Sequence, residues 1–249
     1  MKGWHVLITG GSSGIGLEIA KTLAGQGAIL HISARNAENL ALAAAEIDGE
    51  VHTYVSDSAN SKSRHQLMTE LSKNTDGRLD CLVVNAASYS YAPLLQMQDE
   101  EVENYFLTNT LPAFALVRLA YPLLQAGEGK AVLFVSSTLA SRPLTGVGAY
   151  AASKAAMNSL ALSWSLELAG DGIRVNAVLP GVVNTPIHDP TNPDDPSRAE
   201  KLAQLAAAHP IGRVGEPKDI ASAAHFLLSK EAAWVTGSLF YVDGGISLV

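Results

Sequence analysis

Short apolar runs alternate with longer helical stretches along the whole chain. Val6 to Ile8, Ile29 to Ile32, Val51 to Val55, Leu79 to Val84, Ala131 to Val135, Ile173 to Val178 and Leu239 to Val242 read as strands. Between them, Gly14 to Gln26, an alanine-rich segment to Ile47, Leu67 to Lys73, Val102 to Leu124, the Tyr150 region to Ala169, and Ala221 to Leu228 read as helices. The strands are apolar throughout instead of alternating with polar residues. A strand of that kind is buried on both faces, which predicts a parallel sheet with helices on each side. The expected fold is α/β: one Rossmann-like, doubly wound domain over residues 1–249.

Two stretches break the pattern. Pro112 has no N–H to give to the carbonyl of Thr108, so the helix should loosen or kink there. His188 to Pro196 carries three prolines within a turn-rich run, which excludes regular structure. It reads either as a surface excursion or as part of a substrate lid over about residues 182–208.

Composition narrows the function. With 47% hydrophobic and 16% charged residues, the chain suits a large core. A net charge of −7 with no basic run does not suggest nucleic-acid binding. The single cysteine, Cys81, excludes an internal disulfide and a cysteine-based zinc site, and its apolar context suits a buried structural thiol. No metal site is expected. No apolar stretch is long enough to span a membrane and no signal-peptide pattern is present, so a cytoplasmic protein is expected.

Two patterns carry chemistry. Thr9 to Gly16 (TGGSSGIG) follows the first strand and opens a helix. Its glycines permit a sharp turn and close approach of a ligand, and the free N–H groups of a helix start favour a pyrophosphate. Tyr150 and Lys154 lie four residues apart on one helix face. A neighbouring ammonium stabilises phenolate, so the spacing can make a proton shuttle, although an isolated match can equally be an exposed polar stripe.

The turn's G-x-x-x-G-x-G spacing resembles that of the short-chain dehydrogenase/reductase family, and the resemblance runs in order through the chain. Asn85-Ala86-Ala87 is similar to the family's Asn-Ala-Gly turn beside the adenosine, with Ala87 in place of glycine. Asn109 falls where the family keeps a helix asparagine. Ser137 lies thirteen residues before Tyr150, the family's separation. Pro180-Gly181-Val182-Val183-Asn184-Thr185 resembles the segment that holds the nicotinamide carboxamide. Gly212 to Pro217 and Val242 to Gly245 are similar to C-terminal signatures of the family.

The resemblance implies a catalytic set of Asn109, Ser137, Tyr150 and Lys154. Ser137 would bond the substrate carbonyl, with Ser136 as its rival, and Tyr150 would supply the proton. Lys154 would depress the Tyr150 pKa and bond the nicotinamide ribose. The Asn109 main-chain carbonyl would hold a water. Cofactor contacts are implied at Gly10, Ser12, Ser13, Gly14, Ile15, Gly16, Arg35, Asn36, Asp57, Ser58, Asn85, Ala86, Ala87, Tyr150, Lys154, Pro180, Gly181, Val183 and Thr185. Asp57 is alternatively a helix N-cap.

Ala34 stands where relatives that use NAD carry an aspartate, and Arg35 follows. An acid there would repel a 2′-phosphate, and a guanidinium suits one. NADP(H) is therefore expected, with NAD(H) possible; the alternative for Arg35 is an ordinary solvated side chain. Tyr89, Tyr91, Leu94, Leu139, Leu144, Val147, Val182 and Ile187 offer a mainly apolar substrate pocket, with Arg142 and His188 as polar exceptions. This suggests a hydrophobic or acyl-type carbonyl substrate or its alcohol. Small residues at Ala151, Ala152, Ala155 and Ala156 permit close helix pairing, and the family implies a homotetramer, a dimer of dimers. The competing functions are an NAD-dependent alcohol dehydrogenase, a dinucleotide-binding regulator without turnover, and a halohydrin-dehalogenase-like lyase. The intact glycine turn disfavours the lyase, and the presence of both Tyr150 and Lys154 disfavours the regulator.

Overall fold

A computed structural model of the chain describes residues 1–188 and 197–249. Seven parallel strands form one sheet: β1 His5–Thr9, β2 Ile29–Ala34, β3 Val51–Val55, β4 Cys81–Val84, β5 Ala131–Val135, β6 Arg174–Pro180 and β7 Leu239–Val242. Their spatial order is β3-β2-β1-β4-β5-β6-β7. Residues along each strand alternate between two cores. Val6, Ile8, Leu30, Ile32, Val83 and Leu133 pack beneath α1 (Gly14–Ala24), α2 (Ala37–Ala45) and α8 (Pro217–Leu228). Leu7, Leu82, Val84, Val132, Phe134 and Val175 pack beneath α3 (Ser61–Asn74), α5 (Leu111–Ala126) and α6 (Gly148–Leu168). This is the expected doubly wound sheet. Strand order reverses between β1 and β4, and it is beyond the carboxyl ends of such a pair that open α/β sheets hold ligands.

Local departures from expectation have local causes. The third helix begins at Ser61, well before Leu67, because Asn60 caps it: its Oδ1 accepts from Ser63 N–H at 3.0 Å. The polar first turns carry no amphipathic signal. The Val102–Leu124 helix is three pieces: α4 (Asp99–Tyr105), a π-helical turn (Phe106–Thr110) and α5. Leu111 N–H reaches back five residues to the Phe106 carbonyl. Pro112 explains the widening, since it cannot donate to Thr108. A further helix, α7 (Ser197–Ala206), lies within the segment expected as lid, while residues 189–196 of that segment lie outside the described residues.

Cys81 is fully buried, and burial raises its thiol pKa, as a structural thiol requires. Among the described residues no helix is long and apolar enough to cross a membrane. Among them, too, no cluster of His, Cys, Asp and Glu could hold a metal ion.

Candidate active site

The glycine turn is locked by its neighbours. The Gly10 and Gly11 N–H groups both donate to the Ser33 carbonyl of β2, at 2.7 and 3.2 Å. Gly10 (φ +65°) and Gly14 (φ +53°) are left-handed, the conformation that favours glycine. A Cβ on Gly16 would sit 2.3 Å from the Gly10 carbonyl oxygen and 2.5 Å from Asn85 Nδ2. Asn85 Nδ2 donates to the Thr9 and Gly10 carbonyls at 3.1 and 3.0 Å, while Thr9 Oγ1 accepts from Asn85 and Ala86 N–H. Asn85 thus braces the turn after β1 from the turn after β4. Ala87 leaves this brace intact.

A dinucleotide fits this cradle. Ser13 precedes α1 with no side-chain capping bond, so the leading N–H groups of that helix stay free for an anion. A side chain at Gly16 would close the approach. Ser12, Ser13, Ile15 and Gly16 line this helix start as expected.

The far wall is Pro180 to Thr185. Thr185 stands across from the turn, since a Cβ on Gly14 would lie 3.2 Å from Thr185 Cβ. The motifs toward the C-terminus hold this wall in place. Gly215 N–H donates to the Val182 carbonyl (2.8 Å) and Asn184 N–H to the Gly215 carbonyl (2.9 Å), next to the isolated Val183–Gly215 bridge. Gly181 N–H donates to the Val242 carbonyl (3.2 Å). Arg213 grips the Asp219 carboxylate with two bonds, at 2.6 and 2.9 Å. His209, missed from the sequence, is buried. Its Nε2 accepts from Val182 N–H (3.3 Å) while Nδ1 meets the Leu205 carbonyl (2.8 Å).

At the adenosine end, Arg35 is exposed at the end of β2 and makes no hydrogen bond or ion pair among the described residues. Asn36 caps α2, accepting from Asn39 N–H at 2.9 Å. Asp57 is not the cap of α3, a role that Asn60 fills. Its Oδ1 takes Ala59 N–H at 3.0 Å, and the carboxylate is exposed beside the buried Ser58.

Three of the four expected catalytic residues, Ser137, Tyr150 and Lys154, meet at the carboxyl end of β5, and Asn109 reaches the same helix, α6, through Ser153. Ser137 and Ser136 end that strand differently. Ser136 Oγ turns away and donates to the Lys154 carbonyl of α6 (3.4 Å), whereas the Ser137 side chain lies near enough to the Tyr150 phenol to act on its pKa. Ser137 Oγ also accepts Leu139 N–H at 3.1 Å. Lys154 Nζ lies 5.8 Å from the centre of the Tyr150 ring and donates to the Val135 carbonyl at 2.8 Å.

Electrostatics differ from expectation here. Burial is the dominant influence on both groups: it raises the Tyr150 phenol, opposed by the nearby Ser137 hydroxyl, and lowers Lys154 to about 7.

Asn109 is fully buried on the π-helical turn. Its Oδ1 accepts Ser88 N–H (2.8 Å), and its Nδ2 reaches the Ser88 carbonyl (3.1 Å) and Ser153 Oγ (3.0 Å). Its side chain is a clamp between the loop after β4 and α6.

Of the expected pocket residues, Tyr89 and Leu139 pack against the Tyr150 cluster. Tyr91 lies over Gly146 and Leu94 over Gly148, both largely exposed, as is Leu144. Val147 is buried at the start of α6, and Val182 pairs with Gly215. Arg142 leaves the expected set, since its guanidinium donates to the Ser247 carbonyl near the C-terminus. The His188 side chain lies outside the described residues.

A family model described as enoyl-(acyl carrier protein) reductase matches residues 10–247. One tropinone reductase homologue of Arabidopsis thaliana is 35% identical over 252 residues, covering 100% of this chain and 92% of that protein. A second is 36% identical with the same coverage. Among solved structures, ligand-free aldohexose dehydrogenase of Thermoplasma acidophilum is similar with a TM-score of 0.89. It is 28% identical, over 100% of this chain and 95% of that one. A dehydrogenase/reductase from Sinorhizobium meliloti gives 0.90 at 31% identity, over 99% and 96%.

Proposed function

The chain belongs to the short-chain dehydrogenase/reductase family, and we propose that within it the protein is an NADP(H)-dependent ketone reductase working reversibly on hydrophobic carbonyl substrates. Members bind nicotinamide dinucleotides and act on small molecules. The observation that carries the reading is the convergence of Ser137, the Tyr150 phenol and the buried Lys154 at the carboxyl end of β5.

The bound nicotinamide supplies the hydride. Charge then develops on the carbonyl oxygen, and the chain's own groups answer it. Ser137 Oγ–H and the Tyr150 hydroxyl offer two converging donors, and Tyr150 gives up its proton to the forming alkoxide. Lys154 stabilises the phenolate left behind and bonds the ribose. Asn109 carries a water on its main-chain carbonyl, linking Lys154 to solvent. Pro180, Gly181, Val183 and Thr185 hold the carboxamide, while Gly10 to Gly16 and Asn85 to Ala87 hold the pyrophosphate and adenosine. Asp57 and Ser58 meet the adenine. In the alcohol-oxidising direction the phenol must first lose its proton, so that direction gains with rising pH.

NADP(H) preference rests on Ala34 and on the exposed, unpaired Arg35, which is free to meet a 2′-phosphate with Asn36 beside it. The pocket walls at Tyr89 and Leu139 favour an apolar ketone. The reductase names of the Arabidopsis relatives point the same way. We further propose a homotetramer. An apolar groove of about 540 Å³, lined by Val102, Phe106, Leu107, Leu111, Phe114 and Leu160, opens on the α5–α6 face. Ala152 is exposed on α6, whereas Ala151 packs inward.

The test is a fluorescence titration of NADPH and NADH on wild type and Arg35→Ala. Wild type should favour NADPH, and the substitution should remove about ten- to a hundredfold of that affinity alone. Equal binding of both nucleotides by wild type would end the NADP(H) assignment. Binding of neither would end the enzyme reading.

A further inference from the structure

Asn109 is not the only side chain that grips the loop after β4. Tyr105, four residues earlier on the same helix and buried, repeats its arrangement one step along the loop. The Tyr105 hydroxyl accepts from Ser90 N–H at 2.9 Å and donates to the Ser90 carbonyl at 3.2 Å, with Ser90 Oγ at 2.6 Å. Asn109 holds both the N–H and the carbonyl of Ser88. Two side chains therefore satisfy the backbone of two alternate residues, as a neighbouring strand would. One residue lies between them. That residue is Tyr89, whose ring meets the Tyr150 ring edge-on, with centroids 5.1 Å apart and planes at 88°.

We propose that Tyr105 is a positioning residue: its hydroxyl, acting with Asn109 as a two-rung clamp on Ser88 and Ser90, seats Tyr89 against Tyr150 and so sets the substrate-facing wall beside the proton donor. The clamp explains why a loop without regular structure holds a side chain against the catalytic phenol. It also couples the π-helical turn to the site. Tyr105 immediately precedes that turn and Asn109 lies within it, so its register decides whether both rungs reach the loop. Tyr105 itself packs on Tyr150, with centroids 6.4 Å apart, and its ring belongs to the small cluster around Ala149 and Tyr150. Removing the hydroxyl alone therefore tests the clamp while leaving the packing in place.

This inference rests on the reductase reading for its kinetic consequence but not for its structural one, and the experiment uses both. Tyr105→Phe and, as a milder change, Ser90→Ala are compared with wild type. Hydrogen–deuterium exchange reads the segment 86–92, steady-state kinetics read the KM for an apolar ketone, and fluorescence reads NADPH affinity. In Tyr105→Phe, exchange over Ser88 to Tyr91 should accelerate and the ketone KM should rise, each by roughly three- to tenfold, the worth of one or two neutral hydrogen bonds. NADPH affinity should stay within about twofold, because the glycine turn is braced by Asn85 and not by this loop. Ser90→Ala keeps both backbone bonds to the hydroxyl and should fall between the two proteins. A Tyr105→Phe protein with wild-type exchange overturns the clamp. One with faster exchange but an unchanged ketone KM overturns the positioning role. A parallel loss of NADPH affinity overturns it as well, since that marks general loosening. If wild type itself turns over no ketone with either nucleotide, the reductase reading fails, and exchange alone decides the clamp.

Discussion

Replacing Lys154 by methionine should remove activity and yet stabilise the protein at neutral pH. The side chain is 1% exposed, and its ammonium titrates at about 7 instead of its ordinary 10.5. Between those values the unfolded chain binds a proton that the folded one does not, so wild-type stability rises with pH across that window. Below about pH 7 the full penalty applies, up to about 5 kcal/mol; above 10.5 it vanishes. Methionine fills similar volume without charge. It leaves the Val135 carbonyl without its 2.8 Å donor, at a cost of roughly 1–3 kcal/mol that does not vary with pH. The variant should therefore be the more stable protein at pH 6–7 and the less stable near pH 10, with a crossing between. Urea unfolding of both proteins at intervals from pH 6 to pH 10 measures this. A stability difference that stays flat across the window, or that slopes the other way, would show that Lys154 is not held desolvated in the fold.

Four further substitutions separate the parts of the site. Gly16→Ala drives a methyl into the Gly10 carbonyl and Asn85 Nδ2. It should lower stability by about 1–3 kcal/mol in urea and weaken NADPH at least about tenfold by titration. Ser137→Ala should lower kcat on the order of a hundred- to a thousandfold, as loss of a donor to the developing oxyanion does. Ser136→Ala, losing only a 3.4 Å bond to the Lys154 carbonyl, should cost less than about tenfold in the same assay. Pro112→Ala restores an N–H to the helix. The thermal midpoint should rise while turnover falls, because closing the π-helical turn pulls Asn109 out of register with Ser88 and Ser153; unchanged turnover would separate the bulge from catalysis.

The strands, the layer architecture and most of the site were legible in the sequence because their signals are local. Apolar strands declare burial on both faces, glycine spacing declares a backbone that must turn tightly, and Tyr150 and Lys154 declare a shared helix face. Pro112 declared a helix defect, though not that it would widen into a π-helical turn. The rest depended on neighbours distant in the chain. Which serine meets Tyr150 was decided by the path of α6 past β5, which takes Ser136 to the Lys154 carbonyl and leaves Ser137 for the phenol. Burial, which spacing does not encode, acts on both members of the pair, raising the Tyr150 phenol and lowering Lys154. Arg142 read as a pocket residue until the Ser247 carbonyl claimed it. Tyr105 and His209 carried no motif: each acts by bonding the backbone of another segment, and a backbone partner leaves no trace in the identity of the residue it holds. Sequence thus determined which chemistry the chain carries, since reactive side chains and glycine turns are properties of residues. Tertiary structure alone decided how those groups are charged, held and aimed, since desolvation and long-range hydrogen bonds exist only once the segments have met.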